Sequence, residues 1–135
     1  MKLFKSFLIL ILLVFSGSCF AQRKFTGTFS NGYTGGKLSF VLSPDGKQIQ
    51  KFTFNGYWRC GGSTEHITAG PESSFAVVNG KIKATIAEPE NGGSSAFRFN
   101  LEGAVSGKQA NGVFRMSITG LACDTYNLNW TAKSN

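Results

Sequence analysis

From Phe25 onward, apolar and polar residues alternate with a period of two. Phe25, Gly27 and Phe29 share one face while Thr26 and Thr28 share the other. The same alternation returns in Leu38, Phe40 and Leu42, in Phe52 and Phe54, and in Ile82, Ala84 and Ile86. It continues through Phe97, Phe99 and Leu101, through Phe114, Met116 and Ile118, and through Tyr126, Leu128 and Trp130. A period of two places alternate side chains on opposite faces of an extended chain, so each segment predicts a half-buried strand. The first is the weakest, because Gly27 gives its apolar face nothing to pack.

Between these segments stand turn-forming residues: Ser43-Pro44-Asp45-Gly46, Glu88 to Gly93, Ser106-Gly107, and Asn-Gly pairs beginning at Asn31, Asn55, Asn79, Asn91 and Asn111. Asn-Gly supplies the positive φ angles that tight hairpins require. No segment after residue 21 offers ten or more residues of amphipathic helical pattern. The chain is therefore predicted to be all-β, an antiparallel β-sandwich or small β-barrel of about eight strands, and the pattern leaves sandwich and barrel both open. The expected core is Phe40, Phe52, Phe54, Trp58, Phe97, Phe99, Phe114 and Trp130. Gly61 to Ser74 is polar and glycine-rich and reads as a long loop, with room for a short strand at His66 to Thr68.

Residues 1–21 read as a signal peptide: Lys2 and Lys5, then an uncharged apolar run from Phe7 to Phe15, then Cys19-Phe20-Ala21 with small residues at the cleavage-defining positions. Cleavage before Gln22 leaves one β domain, residues 22–135, destined for secretion, the periplasm or the cell surface. A lipoprotein leader, with Cys19 acylated, is the competing reading of Ser16-Gly17-Ser18-Cys19, against which stands Ser16 where such leaders carry leucine. The apolar run is too short to span a bilayer, and no later segment approaches that length. Two cysteines remain, Cys60 and Cys123, and in an exported chain an even pair is expected to be joined.

The 135 residues carry a formal charge of +7, with 14 Lys and Arg against 7 Asp and Glu, and the chain stays basic after Lys2 and Lys5 leave with the leader. A hydrophobic share of 41% excludes a disordered tail, and 16% charged residues is low for a coiled coil.

A Gly-rich start with Phe-Thr-Gly-Thr-Phe (25–29) and the hairpin Lys-Leu-Ser-Phe-Val-Leu-Ser-Pro-Asp-Gly-Lys (37–47) precede a mid-chain cysteine after an aromatic strand. The chain then closes with Cys123 and Asn129-Trp130-Thr131-Ala132. In these features it resembles small secreted β-rich bacterial domains with a paired cysteine and a closing Trp-Thr-Ala strand. The resemblance implies the fold and the disulfide and no activity.

Candidate chemistry is sparse. His66 follows Cys60 by six residues, but a thiol-imidazole pair needs a reduced Cys60, and His66 is read as an ordinary loop residue. Glu65 with Glu72, or Glu88 with Glu90, are the carboxylate pairs a small hydrolase would use, and exposed carboxylates are more simply solvated charge. No zinc-ligand spacing, phosphate loop or nucleophile elbow occurs, so no catalytic residue, metal or cofactor is assigned. Lys37, Lys47, Lys81 and Lys108 each follow a glycine at a turn or strand entry, where lysine blunts sheet edges or forms a basic rim. Nucleic acid is not expected, because no long basic run occurs. Tyr57 and Arg59 fall on the outward phase of the Phe52–Cys60 strand and Tyr33 falls in a turn. With Lys37 they form the expected ligand-binding set Tyr33, Tyr57, Lys37 and Arg59. The expectation is a non-enzymatic binding module whose partner is an acidic glycan or a cell-envelope protein. The alternatives are a structural or assembly subunit that pairs through an edge strand, and a small hydrolase.

Overall fold

The structure, a computed structural model, describes residues 21–135; Cys19 and the rest of the expected leader up to residue 20 lie outside the described residues. Ten strands follow one another, all paired antiparallel. They are β1 (Arg23–Phe29), β2 (Lys37–Leu42), β3 (Gln48–Cys60), β4 (Ser63–Ala69), β5 (Phe75–Ala76), β6 (Lys81–Glu88), β7 (Phe97–Ser106), β8 (Gln109–Ile118), β9 (Cys123–Asp124) and β10 (Leu128–Ser134). Six of them, β1, β2, β3, β9, β8 and β10, pair in a closed circuit, which decides for the barrel over the sandwich. Cys60 and Cys123 are cross-strand partners where β3 meets β9, and their disulfide joins the circuit at that point.

The remaining strands hang on two long ones. Phe54 of β3 faces Leu38 on one side and Ala69 on the other, so β2 and β4 occupy opposite edges of β3. Phe114 of β8 likewise faces Leu128 and Leu101, which puts β10 on one edge and the β7–β6 hairpin on the other. The short β5 adds to β3 at Gln48 and Ile49, and the bridge from Val78 to Lys81 leads from it into β6.

Inward-facing side chains fill one core. Phe114 is fully buried at its centre, with ring centroids 5.0 Å from Phe52, 5.3 Å from Phe54 and 6.4 Å from Phe29. Burying one such ring contributes about 1.5 to 3 kcal/mol. Seven of the eight expected core residues are buried; Phe97 is half-buried, yet it stacks on Trp58 at 6.0 Å. Phe25 is also fully buried, stacked on Phe40 at 4.9 Å, so the strand expected to be weakest anchors the barrel. Its Gly27 is packed, not empty: a side chain there would collide with Thr131 and Ala132 of β10.

Three turn expectations change. Asn79-Gly80 does form a tight turn, with φ of 52° and 74°, but Asn55-Gly56 and Asn111-Gly112 lie inside β3 and β8. Gly112 faces Gly103 of β7 and Trp130 of β10, and a Cβ at Gly103 would stand 2.9 Å from the Trp130 indole. Gly103 makes room for that ring, Gly112 lets the Glu102 backbone of β7 come close, and neither turns the chain. Tyr126 lies outside β10, exposed and at φ 55°, so the last alternation begins at Leu128. Half of the expected loop from Gly61 to Ser74 is strand β4, which extends the short strand expected at His66 to Thr68: Gly61-Gly62, at φ 60° and 86°, form a two-residue turn that folds β4 back along β3. The phase along β3 also shifts once, between Ile49 and Phe52, because Lys51 at φ 51° forms a bulge opposite Phe40 and lets both neighbours point inward.

Candidate functional site

The outer face of β3 is set by its phase. With Phe52, Phe54 and Trp58 turned into the barrel, Thr53, Asn55, Tyr57 and Arg59 turn out. The Gly61-Gly62 turn fixes the register of β4 against them, so Asn55 faces Thr68, Tyr57 faces His66 and Arg59 faces Thr64. On the other side of β3, Lys37 of β2 faces Asn55. The result is a sheet surface of hydroxyl, amide, imidazole and phenol groups.

Tyr33 reaches this surface from the β1–β2 loop. Asn31 acts as a side-chain strand: its Nδ2 donates to the Asn127 carbonyl at 2.9 Å and its Oδ1 accepts from the Asn129 N–H at 2.7 Å. Ser30 N–H donates to the Asn129 carbonyl at 2.9 Å, and Gly32 turns the chain at φ 81° against Leu128. Tyr33 then lies edge to face with Tyr57, centroids 6.1 Å apart and planes 60° apart, and its hydroxyl is 3.1 Å from Thr64 Oγ1. Tyr57 is in turn edge to face with His66 at 4.9 Å. Asn55 ties the lower row together, donating to Thr68 Oγ1 at 2.7 Å and lying 3.3 Å from His66 Nε2 through its Oδ1.

Two of the four expected binding residues are therefore in contact, and both are open: Tyr33 is 47% and Tyr57 41% exposed. Lys37 and Arg59 do not join into one basic cluster. They sit at opposite ends of the platform, about 13 Å apart along the strand direction at 3.3 Å per residue. Arg59 also faces Asp124 across the β3–β9 pair. Asp124 is held by Arg115 through two hydrogen bonds of 3.0 and 2.5 Å, and that hydrogen-bonded, oppositely charged carboxylate raises the Arg115 guanidinium above its ordinary range. The sequence reading missed Asn55, Thr64, His66 and Thr68. The Gly61-Gly62 pair, followed by a segment of alternating polar residues, was the signal for the hairpin that carries three of them.

The thiol-imidazole reading falls on geometry: Cys60 is bonded to Cys123, while His66 packs against Tyr57 on the outer face. The carboxylates divide differently from the expected pairs. Glu65 stands on β4 opposite Trp58, whereas Glu72, Glu88 and Glu90 line one open groove of about 660 Å³ beside Thr85 and Ile86. There the Glu72 N–H donates to Glu88 Oε1 at 2.6 Å. Among the described residues, no group of three or more His, Cys, Asp or Glu is placed to hold a metal. No helix of the described residues is long and apolar enough to cross a membrane. Neither a protein-family model nor a curated protein nor a solved structure matches this chain.

Proposed function

We propose that the protein is a non-enzymatic binding module, exported to the periplasm or cell surface, that holds an acidic glycan on the outer face of β2, β3 and β4. The observation that carries the reading is the open pair Tyr33 and Tyr57, fixed edge to face on a surface of hydroxyls and amides. Tyrosine combines an apolar ring with a polar tip, so it covers the C–H face of a sugar and still hydrogen-bonds at its rim. Asn55, His66, Thr64 and Thr68 add donors and acceptors suited to sugar hydroxyls. Lys37 and Arg59, one at each end, favour carboxylated or sulfated residues in a chain long enough to reach both.

The reading is tested by applying the disulfide-bonded protein to an array of neutral and anionic glycans at low and physiological salt. Anionic oligosaccharides are expected to bind, and to bind less as salt rises, because exposed charges are screened beyond about 8 Å at physiological ionic strength. An array without anionic hits, or with binding indifferent to salt, overturns it.

A further inference from the structure

Strand β4 has one edge on β3 and, among the described residues, no strand on the other. The two-residue turn decides what that open edge presents. Cys60 and Ser63 close the hairpin as a hydrogen-bonded pair, so Ser63, Glu65, Ile67 and Ala69 aim their backbone N–H and C=O groups at β3. Thr64, His66 and Thr68 aim theirs outward. Open edges are commonly blunted by lysine, proline or a bulge. The β4 sequence Ser-Thr-Glu-His-Ile-Thr-Ala has neither residue, and its register with β3 runs unbroken.

The geometry points to a second copy of this chain as the occupant of that edge, with β4 lying antiparallel to its own counterpart about a two-fold axis at His66. The outward-bonding residues read the same in both directions, Thr64, His66, Thr68. Centred there, His66 meets His66, Thr64 meets Thr68 and Thr68 meets Thr64, and all three positions carry free backbone donors and acceptors. About six inter-chain hydrogen bonds result, and Thr–Thr pairs are among the favourable cross-strand neighbours. On the opposite face Glu65 meets Ile67 and Ser63 meets Ala69, so no like charges oppose. Centring on Glu65 would set two carboxylates face to face. Centring on Ile67 would set Thr64 against Gly70, where β4 has ended and Pro71 follows. The two-fold operation closes the contact and leaves no β4 edge for a third copy.

This inference does not depend on the glycan reading. It does set two platforms side by side, in a row Tyr57, His66, His66, Tyr57 across four strands. At about 4.8 Å per strand the two Tyr57 positions stand about 14 Å apart. A contact of this size, one seven-residue strand against another, gives a weak dimer that fills with concentration.

Sedimentation equilibrium of the disulfide-bonded protein from about 10 µM to about 1 mM, spanning weak affinities, is expected to show a monomer-dimer equilibrium. The variant His66→Lys brings two ammonium groups together at the axis and is expected to weaken the dimer at least tenfold while the monomer keeps its wild-type circular dichroism spectrum. The variant His66→Cys is expected to cross-link on mild oxidation, since Cα atoms of a hydrogen-bonded antiparallel pair lie about 5.5 Å apart, within disulfide reach. An equivalent cysteine at the exposed Ser106 is expected not to do so. A chain that stays monomeric throughout, or a His66→Cys variant that cross-links no faster than Ser106→Cys, overturns the proposal. Binding of an extended peptide to β4 by a chain that never dimerises overturns it equally.

Discussion

Tyr33 and Tyr57 meet edge to face at 6.1 Å although one stands in the β1–β2 loop and the other on β3. Neither ring is held by burial. Tyr57 is aimed outward by the phase of a strand whose other face carries Phe54 and Trp58, and Tyr33 is delivered by a loop whose backbone is clamped by Asn31. On the proposed glycan-binding reading, a surface fixed in advance loses less entropy when a ligand is bound, which would be the advantage of this arrangement.

That advantage depends on Asn31. Asn31→Ala removes both bonds to the Asn127–Asn129 segment, and two such bonds contribute about 1 to 3 kcal/mol together. The variant is expected to unfold at a lower temperature and to lose ring-to-ring nuclear Overhauser contacts between Tyr33 and Tyr57. Retention of those contacts would show that Gly32 and the Tyr33–Thr64 contact suffice to place the ring.

The Cys60–Cys123 bridge closes a loop 63 residues long and joins β3 to β9. By the chain-entropy estimate a loop of that length stabilises by about 4 kcal/mol. Reduction, or the double variant Cys60→Ala with Cys123→Ala, is expected to lower the denaturant midpoint sharply. Thiol titration of the unfolded, unreduced chain is expected to find neither cysteine free.

Asp45 gives the acid limb of stability a specific source. Its carboxylate accepts the Ser43 hydroxyl at 2.6 Å and the Lys47 N–H at 3.0 Å, and these bonds hold it below its ordinary value of 3.8. A depressed folded value means that the contribution is present above 3.8 and is lost as pH falls through the folded value. Urea unfolding of wild type and Asp45→Asn is therefore expected to differ at pH 7, with the difference shrinking as pH falls below 3.8 through the folded value.

The strands were legible because their apolar faces repeat every second residue, and Phe99, Phe114 and Trp130 were placed in the core by phase alone. Closure was not legible, because it rests on β9, two residues long, and on the pairing of β10 with both β1 and β8, which no local pattern encodes. Asn111-Gly112 misled because a glycine that lets the Glu102–Gly103 backbone of β7 come close looks, in sequence, like a glycine that turns the chain. At the site, Tyr57 and Arg59 followed from strand phase, while His66, Thr64 and Thr68 were hidden because β4 lacks an apolar stripe. Its outer face binds its neighbours through polar groups, and its inner face contributes only Ile67 and Ala69 to the core margin.

On the proposed reading, Tyr57 supplies the stacking surface and Lys37 the charge. Titrating the wild-type protein, Tyr57→Ala and Lys37→Ala with polygalacturonate over a range of salt concentrations separates the two contributions most directly. Tyr57→Ala is expected to weaken binding roughly fivefold or more at every salt concentration, in line with about 1 kcal/mol or more for truncating an aromatic anchor of an interface. Lys37→Ala is expected to leave high-salt affinity nearly unchanged and to flatten the salt dependence, since an exposed charge acts mainly through screened attraction. Binding that neither substitution alters, or no binding by the wild-type protein at low salt, would show that this face is not an acidic-glycan site.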